Sequence, residues 1–379
     1  MTIAVLGAGM VGRAIALDLA KQYQVHSFDV SAANLAELNQ RDPSIQTTVA
    51  DLTAHDQYKS MLAEFDLVVT AVPGFMGYAT LEAAIRSGKN IVDISFFPEN
   101  SLQLDKLAKE MNVTVITDCG VAPGMSNLIL GRYNEEMKIS SFTCYVGGLP
   151  VERKPPFQYK APFSPVDVIQ EYIRPARLVE NGEVVTRPAL SEREILSFGD
   201  AGELEAFNTD GLRSLVDTMG HIPNMKEKTL RYPGHIDLII SMQQAGFFET
   251  TPVMVNGQPV VPLAFTSKLL VDQWKLEPDE KEFTVMTVEL EGEKDGRKEK
   301  IGYAVLDYYD PHTRTSSMAR TTGYTCTASV DLVLKNMFTE KGVFPPEFVG
   351  KDKACFEFVL QHLRERGVNW EKTSVSVPA

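Results

Sequence analysis

The sequence predicts an α/β protein: an N-terminal Rossmann domain with a mostly parallel sheet, then a second α/β domain on a mixed or antiparallel sheet. Three observations predict it. Strand and helix patterns alternate over residues 1–120, and Gly7-Ala8-Gly9-Met10-Val11-Gly12 joins the first strand to the first helix. After Gly120 the texture changes to longer strand patterns with a hairpin signal.

The elements follow in order. Ile3–Leu6 is a buried strand, Val11–Lys21 has helical spacing, and Gln24–Asp29 is a second strand. Ser31 is placed to cap the helix that carries Leu35 and Leu38. Phe65–Val72 is an apolar strand ending at Pro73-Gly74, and Asn90–Ile94 and Val113–Thr117 are two more, separated by helical stretches 76–87 and 101–111. Residues 139–148 read as a strand ending in Gly147-Gly148, and residues 149–165, rich in Pro and aromatics, read as a loop. Phe283–Glu291 and Lys300–Asp307 read as strands around an Asp295-Gly296 turn. Val330–Met337 and Lys353–Arg364 are amphipathic helical patterns. The expected division is 1–120 for a nucleotide domain, 121–320 for a substrate-binding and dimerisation α+β domain, and 321–379 for helices that pack back on the first.

Composition narrows the function. The chain has 379 residues, 44% hydrophobic and 23% charged, enough to bury a core without a metal or disulfide staple. A formal charge of −13 argues against nucleic acid or an anionic membrane as partner. The four cysteines, Cys119, Cys144, Cys326 and Cys355, form no CxxC pair and have no zinc spacing; reduced thiols in a cytoplasmic protein, with no metal, are expected. The N-terminus enters a strand without a basic leader, and no apolar run reaches the ~20 residues of a membrane helix.

The GxGxxG turn follows a strand and opens a helix, the context that gives the pattern meaning. Gly7 permits the tight turn, Gly9 lets a pyrophosphate approach the backbone, and Gly12 lets helix and strand pack closely. Ala8, Met10 and Val11 complete the turn, and the helix N-terminus offers free N–H groups. Asp29 ends the second strand where an acidic residue binds ribose hydroxyls, and no Arg follows it, so NAD is favoured over NADP. Asp51-Leu52 would flank the adenine, or Asp51 would cap the next helix; Ala71-Val72-Pro73 ends a strand at the cofactor edge.

From residue 93 onward the sequence is more specific. Ser95-Phe96, Asp118 to Asn127, Tyr145 to Pro150, Arg174-Pro175-Ala176-Arg177, Asp210 to Arg213 and Thr229 to His235, with Thr321 to Tyr324 and Gly342 to Glu347, resemble the saccharopine dehydrogenase family in its reductase-like branch. The stretches Val121 to Gly124, Arg174 to Arg177 and Asp210 to Arg213 are most similar to the lysine 6-dehydrogenase group within it. The resemblance implies a cleft between two domains, with Val121, Ala122 and Pro123 bordering the nicotinamide. It implies Ser95 and Phe96 near the substrate, Gly148 on the far wall, and Thr229, Leu230 and Arg231 around an amino-acid carboxylate. A guanidinium fork suits that carboxylate; a salt bridge is the plainer role for Arg231, and Arg174 and Arg177 are runners-up. The resemblance also implies a homo-dimer or higher homo-oligomer. One residue departs: saccharopine reductases carry an acid before the Pro of this turn, where this chain has Ala122. That leans towards a primary amine.

The expected reaction is NAD-dependent oxidative deamination of the ε-amine of L-lysine, giving ammonia and a 6-semialdehyde that cyclises, a step of lysine degradation. The amine must be neutral to release hydride, and free lysine titrates near ~10.4, so a proton acceptor is needed. The candidates are Asp118, which would hold the ammonium or else serve only as a turn residue, Asp93, and His235, expected to be exposed enough to titrate. The alternatives are a saccharopine reductase or carboxylated-polyamine dehydrogenase acting on a secondary amine, and a non-catalytic NAD-binding regulatory protein.

Overall fold

The computed structural model describes residues 1–277 and 279–376; Pro278 and residues 377–379 of the expected second and third divisions lie outside it. The first sheet has seven parallel strands, in the spatial order Gly342–Phe344, Thr114–Ile116, Asn90–Asp93, Leu67–Thr70, Thr2–Leu6, Gln24–Asp29 and Gln46–Val49. The edge strand Gln46–Val49 is polar and largely exposed, whereas both faces of the central strands are covered, so Thr2–Leu6 and Leu67–Thr70 are nearly continuous apolar runs. The pleat sorts them: Ile3, Val5, Leu67, Val69 and Val92 enter one core, and Ala4, Leu6, Val68, Ile91 and Val115 enter the other. Helix Met10–Leu19 covers the first face and helix Gly74–Arg86 the second, through Ile15 and Leu19 and through Leu81 and Ile85. Strand order reverses between Thr2–Leu6 and Leu67–Thr70, which opens a crevice beyond their carboxyl ends.

The second sheet has nine strands and is mixed. Met225–Arg231 runs parallel to Lys138–Pro150, and the other pairings are antiparallel. Its spine is the hairpin Glu282–Lys294 and Arg297–Tyr308, which turns on Asp295 (φ 52°) and Gly296 (φ 77°). Two successive positive φ values are what a two-residue type I′ turn demands.

Two segments differ from the sequence reading. The C-terminal region was expected to be helical, yet Gly342–Phe344 adds an edge strand to the first sheet and Glu371–Ser376 adds one to the second. Strands held by partners far away in the chain, Thr114–Ile116 for the first and Arg297–Tyr308 for the second, leave little local pattern. The stretch read as a loop gives way at Pro165 to a helix, Pro165–Ile173, with Ser164 accepting from the Asp167 N–H. Helix Ser317–Leu334 is buried along most of its length and ties the two sheets together: Gly323 packs against Ala14 and Ile15, and Ser317 Oγ accepts from Thr284 N and donates to Asp307 O. Among the described residues, no helix is long and apolar enough to cross a membrane.

Candidate active site

A cavity of about 730 Å³ fills the crevice, walled by the carboxyl ends of the first sheet and by one face of the second. Its first half is a dinucleotide cradle. Gly7 (φ 110°) donates its N–H to Phe28 O, and a Cβ there would collide with the Ala71 carbonyl. A Cβ on Gly12 would collide with the Gly7 carbonyl, so helix and turn touch through backbone. At Gly9 a Cβ would meet no protein atom, leaving an open face towards the cavity. Helix Met10–Leu19 has no side-chain cap, and its first internal bond is Arg13 N–H to Gly9 O. The N–H groups of Met10, Val11 and Gly12 therefore have no helical partner. An open glycine face beside uncapped N–H groups fits a pyrophosphate.

Asp29 lines the same cavity. Its Oδ2 accepts from Ala8 N at 2.6 Å and its Oδ1 from Ser31 N at 2.7 Å. Ala8 is buried and serves the site by fixing that carboxylate. Asp51 and Leu52 lie at the cradle's far end; Asp51 Oδ1 is spent on Thr53, as a turn-capping residue is. Ala71, Val72 and Pro73 line the wall opposite the glycine turn, and Val121, Ala122 and Pro123 lie where the cradle meets the second half.

That second half is built on strand Met225–Arg231. Side chains alternate along it, so Thr229 and Arg231 face the cavity while Leu230 packs into the opposite layer with Leu149 and Phe283. Gly148 lines the far wall, where a Cβ would press on Pro162 and Met318. Phe96 lines the cavity with the Arg213 guanidinium 4.7 Å from its ring centre, whereas Ser95 is buried behind it, its N–H on Asp93.

Arg231 is 2% exposed and stacks 4.4 Å above Tyr159. Its Nε donates to Tyr172 Oη at 2.8 Å and its Nη1 to Leu230 O at 2.9 Å. Its Nη2 has no hydrogen bond and lies 3.6 Å from Glu171 Oε2. The sequence reading missed Glu171 and its neighbour Asp167. They sit one turn apart on helix Pro165–Ile173 and both line the cavity. The signal for them was Ser164-Pro165-Val166-Asp167, a cap, a proline at the first helical position and an acid in the first turn. Burial pushes the Glu171 carboxyl up to about 7 against the opposing charge of Arg231, and burial also raises Asp167.

His235 lies deeper than the sequence suggests. It was expected to be exposed, but it is 1% exposed. Its Nδ1 is 2.9 Å from Phe157 O and its Nε2 3.0 Å from Tyr172 Oη, inside a cage of Tyr159, Tyr172 and Trp274. Burial first, then Arg231, pulls it down to about 3, so the ring is neutral at neutral pH. A carbonyl facing Nδ1 places the proton there, and Nε2 accepts from Tyr172, whose oxygen accepts from Arg231. His235 thus orients the arginine and takes no proton.

Asp118 (φ 55°) lines the cavity and is paired with Arg213 at 3.2 Å. Asp93 lies behind it, fully buried, with Thr70 donating at 2.5 Å; burial raises it to about 7. It does not line the cavity. Arg177 is spent on a two-point pair with Asp210, and Arg174 lies 5.9 Å from the Phe96 ring centre without lining the cavity. All four cysteines are buried and free, and burial raises the Cys119 thiol.

Residues 3–116 match the model for the saccharopine dehydrogenase NADP binding domain, and residues 120–368 match that for the saccharopine dehydrogenase C-terminal domain. The chain is 22% identical over 408 residues to a saccharopine dehydrogenase (NADP(+), L-glutamate-forming) of Schizosaccharomyces pombe, spanning 87% of this chain and 89% of that one. It is 30% identical over 137 residues to the mitochondrial alpha-aminoadipic semialdehyde synthase of Rattus norvegicus, and the match spans 15% of that protein's length. Apo saccharopine dehydrogenase (L-Glu forming) from Saccharomyces cerevisiae superposes with a TM-score of 0.79 at 18% identity, covering 99% of this chain and 100% of that one, which shows a shared fold.

Proposed function

The chain belongs to the saccharopine dehydrogenase family, oxidoreductases of amine substrates, and from that premise we propose that it oxidises the ε-amine of L-lysine with NAD⁺. The observation that carries this is the unbonded Nη2 of Arg231 beside the Glu171 carboxyl at one end of the cavity. A guanidinium corner and a carboxylate together match the α-carboxylate and α-ammonium of an amino acid. In this reading the side-chain amine extends between Asp118, which would hold its ammonium, and Thr229, both of which line the cavity. Ala122 sets no acid beside the reacting carbon, which suits a primary amine.

Bound NAD⁺ would accept the hydride from the ε-carbon. The chain's own groups orient the amino acid through Arg231 and Glu171, hold its amine at Asp118, and wall the carbon with Val121 to Pro123. Water then releases ammonia and the semialdehyde. The preference for NAD⁺ rests on Asp29, whose carboxylate would repel a 2′-phosphate. Asp29→Asn should cut the ratio of NAD⁺ to NADP⁺ efficiency by about tenfold; an unchanged ratio in steady-state kinetics would remove Asp29 from the selection.

The deciding experiment is a panel of lysine, saccharopine and carboxylated polyamines with both cofactors, followed by reduced-nicotinamide absorbance. Lysine with NAD⁺ is the expected pair, with activity climbing above neutral pH. Fast turnover of saccharopine with none of lysine reverses the assignment. Tight dinucleotide binding with no turnover at all makes the protein a sensor.

A further inference from the structure

Behind the cavity wall a line of polar side chains runs inward from Thr229 through Thr209 to Glu227. Glu227, Thr229 and Arg231 share one face of strand Met225–Arg231. Thr229 lines the cavity. Its hydroxyl is 2.7 Å from that of Thr209, and Thr209 Oγ1 donates to Glu227 Oε2 at 2.8 Å. Thr229, Thr209 and Glu227 are 6%, 3% and 5% exposed. Gly211 closes the carboxyl from the side, where a Cβ would overlap it.

Proton counting gives the line a direction. Each threonine hydroxyl has one proton to donate. With Glu227 ionised, Thr209 donates to Glu227, so Thr229 donates to Thr209. The Thr229 oxygen then remains as an acceptor at the cavity wall.

We propose that Thr229, Thr209 and Glu227 form the proton exit of the amine-oxidising site, with the Glu227 carboxylate as the acceptor. The proposal rests on the reading of the cavity as an amine dehydrogenase site. The substrate enters as an ammonium. One N–H bond breaks and its proton goes to Thr229 Oγ1; the former Thr229 proton passes to Thr209, and the Thr209 proton to Glu227 Oε2. The neutral nitrogen uses its lone pair to form a C=N bond as the C–H electron pair leaves as hydride to the bound dinucleotide. The product is an iminium ion, which water cleaves to aldehyde and ammonium. The Glu227 proton returns to solvent along the same line once the product has gone.

The surroundings of Glu227 suit an acceptor. Burial raises its carboxyl to about 8; Thr209 opposes the rise, Glu171 and Asp210 add to it, and Arg231 opposes it. Asp210 is itself held by Arg177, and Cys144 faces Glu227 from the adjacent strand. A carboxylate so placed is a stronger base than an ordinary Glu near ~4.3, and nearer an amine at ~10.4. The line accepts protons only when Glu227 is ionised, so turnover rises as pH passes through about 8.

The test uses the full chain. Thr209→Val removes the relay hydroxyl at nearly constant shape and should lower kcat by about a hundredfold and displace the alkaline limb, with KM changed less than about twofold. Thr209→Ser restores a hydroxyl and should recover most of the lost rate. Infrared difference spectra of the protein without substrate should show a carboxyl component titrating around pH 8 that is lost in Glu227→Gln, beside that of Glu282, which burial also raises to about 8. A folded, dinucleotide-binding Thr209→Val protein with the parental kcat and pH profile overturns the relay alone, as does the absence of any component that Glu227→Gln removes. Failure of the parent to oxidise any amine overturns the cavity reading and the relay with it.

Discussion

Arg231→Ala is expected to raise KM for the amino-acid substrate by about a hundredfold while dinucleotide affinity changes less than about twofold. Removing one partner of a buried charge pair costs about 2–5 kcal/mol, and each 1.4 kcal/mol is tenfold in affinity. Three consequences converge on the substrate end. The free Nη2 is lost, Tyr172 loses the donor that fixes its hydroxyl, and Glu171 loses the charge that opposes its rise towards protonation. The cradle at Gly7 to Gly12 shares no hydrogen bond with Arg231, so the effect should stay local. Arg231→Lys is a sharper probe. An ammonium has no planar fork, so it cannot serve Tyr172, the Leu230 carbonyl and a carboxylate with the same geometry. Lysine should therefore recover only part of the loss. Steady-state kinetics beside calorimetric titration of the dinucleotide separates the two terms. A wild-type KM in the alanine variant would move the carboxylate site elsewhere in the cavity.

What the sequence makes legible follows from what each signal depends on. The parallel strands Thr2–Leu6 and Leu67–Thr70 are visible because sheets covered on both faces need uninterrupted apolar runs. The hairpin at Asp295-Gly296 is visible because two positive φ values restrict the residues that fit. Glu227 is hidden for the opposite reason. Its strand reads Met-Lys-Glu-Lys-Thr-Leu-Arg, polar on both faces, so periodicity does not say which face is inside. Lys228, on the other face, is also buried, paired with Glu194 at 2.7 Å. His235 was misplaced because Pro233-Gly234 signals a turn. Gly234 (φ 92°) does make that turn, and helix His235–Gln244 starts at once, carrying the ring into a cage whose other members lie tens of residues away. Arg177 and Asp210 lie 33 residues apart in the chain, and only the fold shows that they satisfy each other.

Two glycine substitutions should separate folding from binding in the dinucleotide cradle. Gly12→Val places a Cβ against the Gly7 carbonyl oxygen and within 3.4 Å of the Ala71 Cβ, so the helix must lift from the turn. Overpacking of this kind costs about 1–3 kcal/mol, and here it also displaces the uncapped N–H groups that fit a pyrophosphate. Both thermal stability and dinucleotide affinity should fall, the affinity by about a hundredfold or more. Gly9→Val meets no protein atom with its Cβ, so the melting temperature should stay near that of the parent. Its side chain instead fills the open face of the cradle, and affinity should again fall by about tenfold or more. Thermal unfolding with and without dinucleotide reads both quantities. The free Gly9→Val protein should melt with the parent and lose most of the ligand-induced shift, whereas Gly12→Val should melt early in either condition. Parental affinity in Gly9→Val would mean that the phosphates do not cross the helix N-terminus at this turn. The uncapped start of helix Met10–Leu19 would then need another purpose.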